Sequence, residues 1–136
     1  MLSHVHVGIA DLPEAFAFYA SVLTELGLAL KFRDDAAGWA AWHRPGAARP
    51  LFLIGRPFDG EPAMPGNGQM IAILAPSRGA VDRAFAAAIA AGGTSEGLPG
   101  LRPHYHAHYY GAYFRDRDGN KLCVCCHDDP AAAPRD

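Results

Sequence analysis

Seven histidines and three cysteines offer most of the chemistry in this chain, and both types are clustered. His4 and His6 alternate in the segment His-Val-His-Val-Gly. Alternate side chains of an extended segment share a face, so both imidazoles point the same way. His104-Tyr105-His106-Ala107-His108 repeats that spacing at i, i+2 and i+4. On an extended chain these rings share a face too, where they could cover a pocket mouth, bind a carboxylate or phosphate, or move protons near neutral pH. The competing reading is a solvated surface loop. Cys123, Cys125 and Cys126 lie together near the other end. Cys123 or Cys125 becomes a nucleophile if His4 or His6 lowers its pKa. Cys125 and Cys126 are adjacent, so on a strand they point to opposite faces and should not pair. Arg102 could reach an anionic ligand or lie on the surface, and Tyr105 adds aromatic surface. Gly66-Asn67-Gly68 does not read as a phosphate cradle, because no Lys-Ser/Thr follows it.

Elements must hold these residues in place, and composition bounds what those elements can be. The chain has 136 residues, a net charge of −2 and 50% hydrophobic residues. That is the make-up of one globular domain. The near-neutral charge speaks against nucleic acid as a partner, and no apolar run approaches the roughly 20 residues needed to cross a bilayer. The first residues, MLSHVHVGIAD, lack the basic and apolar regions of a signal peptide. Three bunched cysteines form no disulfide framework, so a cytoplasmic location is expected.

An internal repeat decides the architecture. Residues 4–27 and 70–93 share one pattern. Val5 and Val7 match Ile71 and Ile73 as alternating strand residues, and Asp11 matches Ser77 as a helix N-cap. Tyr19, Val22 and Leu23 match Phe85, Ala88 and Ile89 as an apolar helix stripe, and Gly27 matches Gly93 as the glycine stop. After the first helix, strands are expected at 28–32, 38–43 and 50–54. After the second, a weak strand near Thr94 leads into a long loop over 96–108, then a hairpin of 109–115 and 121–126 around Asp116-Arg117-Asp118-Gly119. The expected fold is therefore α+β: two βαβββ modules whose sheets form a concave half-barrel cavity, with the helices outside. Module one spans 1–56, a linker 57–67, module two 68–127 and a frayed tail 128–136. By alternation His4, His6 and Gly8 face the concavity, as do Met70, Ala72, Leu74, Cys123 and Cys125. Phe16, Phe18, Tyr19 and Phe85 are expected in the core, and His43 and His127 in structural or exposed positions.

His4…Asp11-Leu12, Phe18-Tyr19, Leu26-Gly27, Gly66-Asn67-Gly68 and Asp116-Arg117-Asp118-Gly119-Asn120-Lys121-Leu122 stand in an order that resembles the vicinal oxygen chelate superfamily. This is the group of glyoxalase I, bleomycin-resistance proteins and extradiol dioxygenases. The resemblance covers residues 2–127, and the segments 100–105 and 110–113 look like a subgroup of small bacterial glyoxalase-like proteins. It implies paired βαβββ modules, a homodimer and, in the enzymes, a divalent metal that chelates two neighbouring substrate oxygens as a Lewis acid. The family's ligands come from the first and last strand of each module. Here His4 keeps the first place, the second falls on apolar Phe52 or Leu53, the third on Met70 and the fourth on Cys123. A hard ion wants oxygen or imidazole donors, so the usual centre is not expected. If His4, Met70 and Cys123 meet in one pocket, their donors suit Zn or Cu; otherwise the positions have drifted to medium-sized apolar residues, and no cofactor is expected.

Two functions follow. In the first, the protein binds a small, partly aromatic or apolar molecule without metal, as the resemblance to bleomycin-resistance proteins implies. Phe52, Met70, Ala72 and Leu74 make the cavity apolar, and Cys123, Cys125, Arg102 and Tyr105 also line it. In the second, it is a lyase or isomerase of the lactoylglutathione-lyase kind with a rebuilt metal site around His4, Met70 and Cys123, or a metal-free catalyst with His4, His6 or His106 as general base.

Overall fold

The structure, a computed structural model, describes residues 1–131. Each half begins with a strand of alternating apolar residues and a capped helix. In the first half these are β1 (His4–Gly8) and α1 (Leu12–Glu25), followed by β2 (Ala29–Asp34), β3 (Trp39–His43) and β4 (Leu51–Gly55). The second half repeats the order with β5 (Ile71–Leu74), α2 (Arg78–Ala90), β6 (Thr94–Leu101), β7 (Tyr110–Arg115) and β8 (Lys121–Cys126). The sheets run β1-β4-β3-β2 and β5-β8-β7-β6, each with its first strand parallel to its last. They do not close into a barrel, since β1 and β5 are edge strands that pair only inward.

Local chemistry sets the helix ends. Asp11 accepts from the Glu14 N–H at 3.0 Å and Ser77 from the Ala80 N–H at 3.1 Å, satisfying amides that have no partner within the helix. Gly27 follows α1 with φ +80°, the left-handed conformation that glycine adopts without a Cβ clash. After α2 that conformation belongs to Gly92, at φ +97°, and not to the expected Gly93. Gly93 is required for a different reason. A Cβ there would stand 2.8 Å from the Ala88 carbonyl, 2.9 Å from the Arg115 carbonyl and 3.0 Å from the Phe18 ring.

The helices cover one face of both sheets, and they also pack on each other. Phe16 lies 5.4 Å from Trp42 and Tyr19 lies 5.3 Å from Phe52, both on the first sheet. From the same helix, Phe18 lies 6.2 Å from Phe114 of the second sheet, which Phe85 of α2 also meets at 6.4 Å. The expectation of helices outside two separate sheets is refined accordingly: α1 is shared, and one apolar core runs through both modules.

A buried carboxylate fastens the modules together. Asp116, 4% exposed, sits in the turn between β7 and β8 and accepts from the Asp118 and Asn120 amides at 3.0 and 2.8 Å. Its other oxygen accepts from the Tyr19 hydroxyl of α1 at 2.5 Å and from the Asn120 side chain at 2.9 Å. The Asn120 amide also donates to the Gly8 carbonyl at the end of β1 (2.8 Å), and Asp118 accepts from the Ala10 N–H (3.1 Å). The hairpin turn of module two is thus seated on the β1–α1 junction of module one.

Most strand ends fall within a residue or so of expectation, but β6 does not. It continues to Leu101 where a long loop was expected over 96–108. Gly97, Pro99 and Gly100 weaken its strand signal, and its pairing with β7 shifts register between Ser95 and Gly97 and again between Gly97 and Gly100. Of the tail expected to fray, residues 132–136 lie outside the described residues.

Tyr19→Phe removes a hydrogen bond to a buried charge, an interaction worth about 1.5–3 kcal/mol. Urea unfolding should show a lower midpoint by that free energy with an unchanged m-value, because the fold and the area exposed on unfolding stay the same.

Candidate functional site

The face of each sheet away from the helices carries the residues that could act on a ligand. In the first sheet, strand register places His6, Leu53, Ala41 and Phe32 side by side, with Gly8, Gly55 and Trp39 in the next row. Alternation therefore turns His4, His6 and Gly8 to this face, as expected, while Val5 and Val7 pack toward α1. Segment 56–64 passes over the face and encloses a hollow of about 690 Å³, lined by His6, Trp39, Arg56, Phe58 and Met64 among others. Phe58 and Met64 are exposed at 108% and 84%, and Trp39, 41% exposed, packs one edge against Phe32 at 5.8 Å and leaves the rest of its ring open. Gly55 makes room for the imidazole: a Cβ there would fall 2.8 Å from His6 Nε2. Burial, and then the neighbouring His4, lower the His6 pKa, so its ring is neutral at pH 7.

The second sheet is built the same way, but its inner face is partly covered. Cys123 stands between Ala72 and Tyr113, and Cys125 between Leu74 and Gly111. The loop over 102–109 folds back so that Tyr109 lies over β7 and β8. Its hydroxyl reaches Tyr113 Oη at 3.0 Å and Cys123 Sγ at 3.4 Å. Gly111 admits that ring, since a Cβ there would be 2.9 Å from it. A hydrogen bond from Cys125 draws the Cys123 thiol down to about 7 against the opposing effect of burial; Tyr109, Tyr113 and the Arg102 charge add to the lowering. Cys125 and Tyr109 are pushed up in turn, so any thiolate in this group resides on Cys123.

The three loop histidines do not share a face. Residues 103–108 form turns after Pro103, with the Tyr105 amide bonded to the Arg102 carbonyl (3.0 Å), and the extended reading fails for that reason. His104 lies against Tyr105, His106 stacks on His127 with ring nitrogens 2.8 Å apart, and His108 lies 3.8 Å from Asp129. His127 also reaches Cys125 Sγ at 3.5 Å. Arg102 turns back on its own strand, donating to the Gly100 and Leu98 carbonyls at 2.9 and 2.8 Å. Tyr105 is 60% exposed beside Tyr109. Phe52 points to the helix side, against Tyr19, so Leu53 and not Phe52 occupies the inner-face position of β4.

The four family ligand places thus carry His4, Leu53, Met70 and Cys123, in different settings. His4 is exposed on an edge strand with its Nδ1 3.0 Å from Ser3 Oγ, and Leu53 has no donor atom. Met70 precedes β5 and is 43% exposed. It lines a hollow of about 590 Å³ with Arg115 and Lys121. Cys123 is fully buried beneath Tyr109. A narrower cavity of about 120 Å³ is lined by both Met70 and His6, not His4. One imidazole, a thioether, a thiol and a hydrocarbon do not fit a hard divalent ion. Among the described residues no group of three or more His, Cys, Asp or Glu side chains could hold a metal ion.

Gly55 and Gly111 were not singled out in the sequence, although each shapes the space at an inner face. The available signal was a glycine inside a strand pattern, which marks close approach of another group. Gly111→Ala should push Tyr109 off Cys123. The Cys123 thiol should then react faster with a small alkylating reagent than in the parent protein, as peptide mass mapping of the modified cysteines would show.

Comparison with known proteins places this geometry. The family model of the glyoxalase/bleomycin resistance protein/dioxygenase superfamily matches residues 1–124. The crystal structure of a glyoxalase/bleomycin resistance protein from Albidiferax ferrireducens T118 is similar, with 37% identity and a TM-score of 0.83 over 93% of this chain and 98% of that one. A glyoxalase-related enzyme from Fulvimarina pelagi shares the fold at 20% identity and a TM-score of 0.69, over 93% of this chain and 87% of that one. A family enzyme from Burkholderia phytofirmans PsJN does so at 18% and 0.67, over 93% and 98%. No functionally curated protein matches the chain. The paired βαβββ modules and the match over nearly the whole chain lead to one conclusion: this protein belongs to the glyoxalase/bleomycin resistance protein/dioxygenase superfamily.

Proposed function

We propose that the protein binds a small, partly aromatic molecule in the hollow over the first sheet, without a hard-metal centre. The observation that carries this reading is the hollow itself. Its volume of about 690 Å³ suits a small organic ligand, and its walls combine exposed Trp39, Phe58 and Met64 with the polar His6, Arg56, Asp59 and Glu61. Trp39 and Phe58 offer ring faces for a planar body. His6 and Arg56 supply the polar contacts that orient it, His6 as a neutral imidazole that accepts or donates one hydrogen bond. The donor chemistry at His4, Leu53, Met70 and Cys123 supports a metal-free site.

A panel of planar aromatic compounds, screened by thermal shift and followed by Trp39 fluorescence, tests this. Binders should emerge whose affinity falls at least ten-fold in Trp39→Ala, with circular dichroism showing that the variant keeps its fold after losing the contact with Phe32. Binding that survives Trp39→Ala undiminished would defeat the assignment.

A metal-free catalyst is the second reading, and the lowered pKa of His6 favours it, since a neutral ring in a cleft can accept a proton near neutral pH. The same shift has a consequence for stability. The unfolded chain takes up a proton on this residue at a higher pH than the folded protein does. Stability contributed by the neutral ring is therefore present above pH 6.5 and is lost as pH falls through the window below it. His6→Gln should flatten that part of the acid-side decline in urea-unfolding free energy measured from pH 7 to pH 5. An unchanged slope would mean that the ring is not shielded.

Ala72 and Leu74 stay open on the inner face of the second sheet, with Met70 beside them. We assign that surface to a second copy of the chain, which light scattering of the purified protein would register as twice the monomer mass.

A further inference from the structure

A second cavity lies between the two modules, apart from the hollow over the first sheet, and reaches Ala72 and Leu74 of the second inner face at its rim. It opens where the edge strands β1 and β5 approach without pairing, at the C-terminal end of α1, and has a volume of about 390 Å³. Leu26, Leu28, Trp42, Phe52, Ile71 and Ile73 form its apolar wall. One end is different: His43, Arg44 and Arg49 line it, and no Asp or Glu contributes to the lining. Neither Arg44 nor Arg49 is engaged in an ion pair among the described residues, whose salt bridges use Arg33, Arg83, Arg115, Arg117 and His108. His43 turns its Nδ1 to the Ala47 carbonyl at 2.8 Å, which holds the loop carrying both arginines against the end of β3.

We propose that this groove is a binding site for an amphipathic monoanion, a medium-chain carboxylate whose hydrocarbon body lies along the half-buried Leu28, Ile71 and Ile73, above the buried Trp42, and whose head group meets Arg44 and Arg49. The apolar wall removes hydrocarbon from water, a gain that grows with each buried methylene. The guanidinium groups pair with a carboxylate in the bidentate geometry that arginine favours. Charge complementarity selects the class: a cation would meet two unpaired arginines, and a neutral chain would leave them without a partner. The site is separate from the hollow over the first sheet and does not rest on the function proposed there.

The two tryptophans of the chain make the sites distinguishable. Trp39 lines the hollow and Trp42 lines the groove. In Trp39→Phe the remaining fluorescence reports Trp42 alone. Titration of this variant with decanoate, kept below its micellar concentration, should give a saturable change in emission. Decanol, with the same tail and no charge, should bind at least ten-fold more weakly. Arg44→Gln/Arg49→Gln should weaken decanoate at least ten-fold and leave decanol unaffected; both side chains are exposed, and circular dichroism checks that the variant is folded. The proposal is overturned by equal affinity for decanoate and decanol, by a Trp42 signal that never saturates, or by an arginine variant that binds decanoate as the parent does. A failure of the aromatic screen at Trp39 leaves these outcomes untouched.

Discussion

The arrangement of the two modules depends on the Asp116 carboxylate. A charge 4% exposed in a protein interior is costly unless its oxygens are fully used, and here four donors converge on them. Two of those donors are backbone amides of the carboxylate's own turn, which define its shape. The Tyr19 hydroxyl comes from the other module. Satisfying the charge therefore requires α1 to lie against the β7–β8 turn, and that placement brings Phe18 onto Phe114. The exposed pairs Arg117–Glu14 and Arg83–Glu25 cross the same boundary, but at the surface such pairs contribute little.

Once the helix faces are joined, the opposite faces are left to meet ligands or partners. Both sheets use a glycine to admit a ring onto that face, Gly55 for His6 and Gly111 for Tyr109. The results diverge because the loops diverge. In the first module, segment 56–64 stands over the sheet and leaves a hollow. In the second, the loop over 102–109 lies down and buries Cys123 under Tyr109. Two halves built on one pattern thus end with different chemistry, one open with a neutral imidazole and one covered with a thiol whose pKa is lowered to about 7.

Much of the site was legible from alternation alone. Because strand side chains alternate with period two, the facing of His6, Ala72, Cys123 and Cys125 followed from the pattern once the strands were recognised. Phe52 was expected to line the cavity and instead packs on Tyr19, because all of β4 is apolar: a strand buried on both sides shows no alternation to read. The histidine loop failed for a different reason. Its i, i+2, i+4 spacing carries information only if the backbone is extended, and the turns after Pro103 depend on what the loop packs against. The pKa shifts of His6 and Cys123 lay beyond any sequence reading, since they arise from burial and from neighbours brought close by folding.

By itself, the amino-acid sequence determined the two βαβββ repeats, the capped helices and the chemistry available at each ligand place, because these rest on local propensity, side-chain period and residue type. Only the tertiary structure decided which of two faces Phe52 takes, that the Asp-Arg-Asp-Gly-Asn turn clamps one module to the other, and that His6 rather than His4 shares a cavity with Met70. Those outcomes depend on contacts between residues far apart in the chain, from Gly8 to Asn120 and from Tyr19 to Asp116. Burial and the need to satisfy buried polar groups select such contacts, and no local pattern encodes them.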